Sequence, residues 1–389
     1  VIVPMYQAQL PSEWEFILTD SETKVVAGAT KEIHAQLREI AGRLTSIQHV
    51  LGFDLPESDE ASFGALVKRG RAAPVAPSEV KSTDLAGLIY TSGTTGNPKG
   101  VCLTHWNFCS NVQGALERFD FREGDRSLAF LPWAHAFGQT AELYSLLRAG
   151  AGIALNDAVP HLITNLPIVK PTVLVAVPRI FNRIYDGVNK QMLDKPAPIR
   201  KLFSSSVAIA TKKSRGDVLS WFERVTLALG DKLVFSKVRA KFGGQLRFVV
   251  SGSAALSPAV GEFIDALGID VFEGYGLTET SPVVSANYPG HRKIGTVGPP
   301  FPGVTVTIDR SETKDPVQGE IIVSGENVMQ GYYKRPDETA EVIRADGSFR
   351  TGDMGYIDEE GFLRITGRIK EQYKLENGKY VVPSPLEEE

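Results

Sequence analysis

Cysteine is almost missing: Cys102 and Cys109 are the only two in 389 residues. Two thiols cannot staple a chain of this length, so the sequence fits a reducing, cytoplasmic setting better than a secreted one. They also lack companion ligands at metal-site spacing and are assigned to packing. No apolar run reaches the ~18 residues of a membrane span, and no signal-peptide pattern opens the chain. No internal repeat is visible. An excess of positive charge is absent as well: 42 Lys and Arg against 46 Asp and Glu leave a net charge of −4. That removes any global reason to expect a nucleic-acid partner. What is present, 42% apolar and 23% charged residues, is the composition of a globular protein with a large core.

Apolar strand-like runs alternate with amphipathic helical stretches from Asp84 to about Tyr288, at 85–91, 172–177, 245–251 and 269–272. This pattern predicts an α/β fold with a mainly parallel sheet under helices. One helix is readable in detail: Ser257 caps it, Pro258 takes its first position, Val260, Phe263, Ile264 and Leu267 form its apolar face, and Gly268 ends it. The strands on either side then belong to one right-handed crossover unit. After Gly295 the texture changes to short alternating runs (304–308, 320–323, 362–365) separated by Gly, Pro and Asp, which predicts an antiparallel, barrel-like subdomain. The expected division is 1–294 for layered α/β subdomains, 295–366 for the β-rich subdomain and 367–389 for a hinge opening a further domain. Residues 70–82 are a Pro/Ala-rich connector. Val1 is not an initiator Met, and PSPLEEE near the end reads as a helix start with Ser384 as cap, so the sequence reads as a central fragment.

Residues 179–242 carry 14 Lys/Arg against 5 Asp/Glu in a chain that is acidic overall. One reading is a solvated helical hairpin. The other is a surface for anionic lipid headgroups, a peripheral membrane contact, or for an anionic cosubstrate.

The run YTSGTTGNPKG (90–100) concentrates hydroxyls, glycines and one lysine behind a buried-strand pattern. Gly93 and Gly96 let the backbone turn sharply and bring N–H groups to an anion, Ser92, Thr94 and Thr95 offer hydroxyls, and Lys99 offers charge. It is not a Walker A loop, since Pro98 precedes Lys99 and Gly100 follows it. Triphosphate held at a helix N-terminus is therefore not expected.

This loop resembles the signature of the adenylate-forming superfamily: acyl-CoA synthetases, luciferases and peptide-synthetase adenylation domains. The resemblance continues in order through LPWAHAFGQ (131–139), VPRIF (177–181), SGSAAL (251–256), EGYGLTET (273–280), RTGDMG (350–355) and GRIKEQYK (367–374). VPRIF with a long basic insert looks most like long-chain fatty acyl-CoA synthetases. The resemblance implies ATP, Mg2+ and CoA as cosubstrates and cofactor, a large adenylate-forming domain, and a small C-terminal domain mostly absent from this sequence. It implies that Thr91, Ser92, Gly93, Thr94, Thr95, Gly96 and Lys99 bind phosphate. Gly252, Ser253, Ala254, Glu273, Gly274, Tyr275 and Gly276 enclose the purine, with Tyr275 stacked on it. Thr278 bonds phosphate, Glu279 binds Mg2+, and Asp353 and Arg368 hold ribose or phosphate. His135 stands beside the entrance for the acyl carboxylate; a core histidine is the alternative. Lys370 is the hinge about which the small domain rotates.

Amino-acid-activating relatives hold the substrate ammonium with an Asp near this histidine, and LPWAHAFGQ has no acid. The expected substrate is therefore a medium-to-long fatty acid, with Ala134, Ala136 and Gly138 leaving room for the alkyl chain. The resemblance also puts an adenylating lysine beyond Glu389, so these 389 residues are expected to turn over poorly. Rival readings are an acyl-AMP ligase serving a carrier protein and a non-catalytic acyl- or nucleotide-binding protein. Oligomeric state is not legible.

Overall fold

The computed structural model describes residues 1–91, 97–311, 313 and 315–369, with the backbone of 373–374 and 380–381. It divides into two compact units: Val1–Trp106 with Met329–Thr339, and Asn107–Val328 with Ala340–Glu389.

In the first unit, α1 (Pro11–Asp20), β1 (Val25–Gly28), α2 (Lys31–Ala41) and β2 (His49–Gly52) form a small α/β layer in which β1 and β2 pair in parallel. The Thr30 hydroxyl accepts the Ile33 N–H and starts α2, whose Leu37 and Ile40 pack with Trp14, Leu18 and Val26. Helix α3 (Phe63–Ala72) runs into the connector, and residues 70–82 are exposed as expected.

Strand β3 (Leu85–Thr91) departs from the expected parallel sheet. It pairs antiparallel with β4 (Lys99–Thr104), in register from Leu85 opposite Thr104 to Thr91 opposite Lys99, and Gly331–Tyr332 adds a third strand. The reason is chain length: only residues 92–98 join the two strands, and a parallel crossover needs about a dozen or more residues. Strand β4 begins at Lys99, so no helix N-terminus directly follows residues 92–98.

In the second unit, α4 (His105–Arg118) leads to the parallel pair β5 (Arg126–Ala129) and β6 (Gly152–Leu155). Helix α5 (Leu162–Val169) precedes β7 (Val173–Ala176), and four helices follow: α6 (Pro178–Leu193), α7 (Ala197–Ser214), α8 (Trp221–Gly230) and α9 (Ser236–Lys241). Then come β8 (Phe248–Ser251), α10 (Pro258–Ala266), β9 (Asp270–Gly276) and β10 (Val283–Ala286). The sheet order is β10-β9-β8-β7, with β7, β8 and β9 parallel and β10 antiparallel. Every residue of β7 and β8 is buried, which is why both read as unbroken apolar runs rather than alternating ones. Helix α10 is built as its sequence predicts. Ser257 accepts the Val260 N–H, Pro258 begins the helix, Val260, Phe263 and Ile264 are buried, and Gly268 turns away at φ 76°. It joins adjacent parallel strands, β8 and β9.

The β-rich segment is a four-stranded antiparallel sheet, β11 (Val304–Asp309), β12 (Gly319–Gly325), β13 (Phe349–Ile357) and β14 (Leu363–Arg368), in that order. Val306, Ile321, Val323 and Leu363 pack beneath it with Val284. It is antiparallel as expected but open: among the described residues its outer strands β11 and β14 do not pair with each other. The basic segment is helical and longer than a hairpin. No described helix is long and apolar enough to cross a membrane.

Candidate active site

Ligands of open α/β sheets bind beyond the carboxyl ends of the strands. In the second unit β9 ends there with Glu273, Gly274, Tyr275 and Gly276. The Tyr275 hydroxyl donates to Asp353 Oδ2 at 2.6 Å, and Arg368 Nε reaches Asp353 Oδ1 at 3.0 Å. Asp353 and Arg368 face each other across β13 and β14, so sheet register fixes the pair. The carboxylate is buried, whereas the guanidinium is more than half exposed. Burial, and then the Asp353 charge, push the Tyr275 phenol well above its ordinary range, so it remains a donor at any working pH. A carboxylate has about four lone-pair sites, the acceptor chemistry that sugar hydroxyls require.

The corner carrying Asp353 is tied from behind. Arg350 donates to Glu320 Oε2 through Nε (2.9 Å) and a terminal nitrogen (2.7 Å), while the Gly352 N–H reaches Glu320 Oε1 at 3.2 Å. Thr351 Oγ1 donates to the Ile321 carbonyl at 2.8 Å and accepts the Asp353 N–H at 3.0 Å. The RTGD run therefore serves largely as a bracket for one carboxylate.

After β9, Thr278–Thr280 forms a single tight turn. Thr280 Oγ1 donates to the Pro282 carbonyl at 2.6 Å, and Asn327 Nδ2 donates to the Thr280 carbonyl at 3.0 Å. Thr278 is buried and Glu279 half-buried in this fixed turn. Among the described residues no cluster of three or more His, Cys, Asp or Glu could hold a metal. A single carboxylate such as Glu279 suits Mg2+ that arrives with phosphates, because that ion keeps waters and phosphate oxygens rather than an all-protein cage.

Gly274 and Gly276 have a reason beyond an open face for Tyr275. A Cβ on Gly276 would lie 1.9 Å from the Pro282 carbonyl oxygen, and one on Gly274 would lie 3.3 Å from that of Ser285. The glycines admit β10. Gly252, Ser253 and Ala254 follow β8; Ser253 adopts φ 71°, an uncommon state for a side-chain-bearing residue. Glu273 accepts the Leu256 N–H at 3.2 Å, which ties that turn to the end of β9. Burial raises its pKa to about 7.

His135 is exposed, so the core reading fails; partial desolvation lowers its pKa and keeps the ring neutral at pH 7. The small residues beside it do not line the apolar cavity of this unit. Ala136 is buried, and a Cβ on Gly138 would lie 2.9 Å from the Pro132 carbonyl oxygen. The apolar cavity lies between β8, β9 and β10, lined by Phe137, Val250, Gly252, Gly274, Val283 and Phe301 among others, with a volume of ≈ 50 Å³. Phe137 closes it against the bare Gly252, where a Cβ would meet the ring at 2.9 Å.

Sequence reasoning missed Phe137 and also Glu142. Glu142 lies in a π-helical turn, Gly138–Tyr144, is fully buried, and accepts from Ser127 Oγ at 2.6 Å. Burial outweighs that hydrogen bond and raises its carboxyl to about 7. The apolar neighbourhood of an acid was the only available signal.

In the first unit, Thr91 ends β3 and Lys99 begins β4 opposite it. Lys99 is ion-paired with Glu338 and lies over the Tyr332 ring, 5.1 Å from its centre. Ser92, Gly93, Thr94, Thr95 and Gly96 lie outside the described residues, as does Lys370.

A sequence profile of the AMP-binding enzymes matches residues 1–333. The chain belongs to this family. Long-chain-fatty-acid–CoA ligase FadD15 of Mycobacterium bovis is 35% identical to this chain over 100% of the chain and 64% of its own length. Peroxisomal long chain acyl-CoA synthetase 7 of Arabidopsis thaliana is 33% identical, over 100% of the chain and 57% of its own length. The ATP-bound crystal structure of MatB from Rhodopseudomonas palustris is 27% identical with a TM-score of 0.75, covering 100% of this chain and 67% of that one. The fold is thus that of the large domain of adenylate-forming enzymes. The chain spans about 64% or less of the length of these two curated relatives.

Proposed function

We propose that this AMP-binding enzyme is an acid–thiol ligase that activates a medium-to-long fatty acid with ATP and passes the acyl group to CoA. The observation that carries the reading is the Tyr275–Asp353–Arg368 line at the carboxyl end of a parallel strand, next to an apolar cavity. Tyr275 offers a flat face to a purine and Asp353 accepts from ribose hydroxyls, with Arg368 adding positive charge. Gly252, Ser253, Ala254 and Glu273 shape the turn behind the base. Thr278 donates to phosphate and Glu279 supplies a carboxylate to Mg2+, which offsets phosphate charge when bound. Residues 91–96 and Lys99 donate hydrogen bonds and positive charge to phosphate, and His135 is a neutral partner for the acyl carboxylate.

The chemistry follows from leaving groups. A carboxylate oxygen attacks the α-phosphorus, the bond to the β-phosphate oxygen breaks, and pyrophosphate departs with its electron pair. A thiolate then attacks the acyl carbonyl, and AMP departs. The protein's task is positioning and charge neutralisation. The domain scheme, with 295–366 as the β-rich subdomain and a hinge at Lys370, belongs to the same proposal.

ATP–pyrophosphate exchange dependent on C12–C18 acids tests the reading, with Glu279→Gln as control. Exchange that answers to amino acids and not to fatty acids overturns the substrate, and exchange unaffected by Glu279→Gln overturns the metal role. Adenylate made but transferred only to a carrier protein identifies the acyl-AMP ligase alternative. Nucleotide binding without any exchange identifies the non-catalytic one. The basic segment 179–242 further supports peripheral contact with a membrane.

A further inference from the structure

Helix α8 is apolar on two faces. Its inner side is used: Leu227 packs against the core, Gly230 fits against Ser206, and Val234 and Phe235 are buried in the π-helical turn that follows. Its outer side carries Trp221, Phe222, Val225 and Leu229, exposed by 70%, 76%, 40% and 48%. Val218 before the helix and Leu233 after it, 85% and 42% exposed, extend the stripe. Spacings of three and four residues put these side chains on one face. The Trp221 and Phe222 rings meet edge to face, 5.0 Å apart, and expose on the order of 300 Å² between them. Contiguous apolar surface of this kind marks an interaction site, whereas single exposed leucines do not.

The surrounding charge identifies the occupant. Lys212, Arg215 and Arg239 are paired with Glu223, Glu262 and Asp231. Among the described residues no ion pair involves Lys213, Arg224, Lys232 or Lys237, all of them exposed. The segment has a net charge of +9, which leaves the rest of the chain at −13. A second copy would bring like charge against like. We infer that the outer face of α8 lies in the interfacial layer of an anionic phospholipid bilayer, with Trp221 and Phe222 inserted and the lysines at headgroup level. The inference rests on the peripheral-contact reading of segment 179–242 and gives it a face and a depth.

The test uses the purified chain and vesicles of phosphatidylcholine with phosphatidylglycerol. Expected are co-sedimentation at low salt and quenching of tryptophan fluorescence by lipids brominated on the acyl chain. Trp221→Phe should abolish the quenching and leave sedimentation intact, because a ring remains. Phe222→Glu with Leu229→Glu should weaken partitioning about tenfold or more at unchanged thermal melting. Activation of a water-soluble short acid should be unchanged in that variant, which separates this test from the ligase reading. Sedimentation without quenching would show adsorption by charge alone and overturn insertion. No sedimentation of the parent overturns membrane contact altogether, and micromolar self-association lost in the double variant would assign the face to a second copy.

Discussion

Replacing Glu142 with Gln should reshape the pH dependence of stability. Glu142 is fully buried, and its pKa stands at about 7 instead of the ordinary 4.5. The unfolded chain ionises this carboxyl from about pH 4.5, while the folded protein holds the proton until about pH 7. Unfolding therefore releases a proton across that window, and stability falls as pH rises through it, reaching a floor above pH 7. The difference is worth about 3 kcal/mol. Gln is shaped like the protonated acid, keeps an oxygen for the Ser127 hydroxyl (2.6 Å) and cannot ionise. At pH 5 variant and parent should melt alike; at pH 8.5 the variant should melt roughly 5 °C higher. Glu273, also raised to about 7, leaves a residual slope in both proteins. Melting followed by circular dichroism at the two pH values measures it. An equal difference between the proteins at both pH values, or a variant less stable at pH 8.5, refutes the reasoning.

Three further substitutions test the site. Tyr275→Phe removes the 2.6 Å hydrogen bond to Asp353 and keeps the ring, so adenine stacking should persist while nucleotide affinity falls about tenfold, read by calorimetric titration. Gly276→Ala places a methyl against the Pro282 carbonyl and should cost about 2–3 kcal/mol in urea denaturation, since β10 must shift to admit it. Phe137→Ala opens the cavity beside Gly252 and should raise kcat/KM for the longest acids over the shortest in the exchange assay; an unchanged chain-length profile would remove Phe137 from specificity.

Local signals survived translation into structure, and non-local ones did not. Helix α10 was legible to the residue because Ser257, Pro258 and Gly268 each act within one turn of chain. Strands β7 and β8 were legible because burial on both faces writes an uninterrupted apolar run. The same apolar character misled at β3, where an antiparallel strand reads like a parallel one. The arbiter is the loop length, since residues 92–98 are too few for a parallel crossover. The site divides in the same way. Tyr275, Asp353 and Arg368 were found through motifs, yet their hydrogen-bonded line depends on the pairing of β13 with β14. Glu142 owes its raised pKa to burial far from its own neighbours in sequence, and no single-residue pattern reports that.

Helix α8 shows why periodicity stops short of function. Trp221, Phe222, Val225 and Leu229 recur at helical spacing, and so do Leu227, Gly230 and Val234, about half a turn away. From the sequence either set could face the core. Packing of α8 on α7 selects the second, because Gly230 alone is small enough to lie against Ser206. The larger set is left outward among lysines that have no acidic partner. A helix whose inner contacts are already complete gains no folding stability from an outer aromatic pair. Its exposure within a strongly basic segment fits the proposed insertion at a membrane surface.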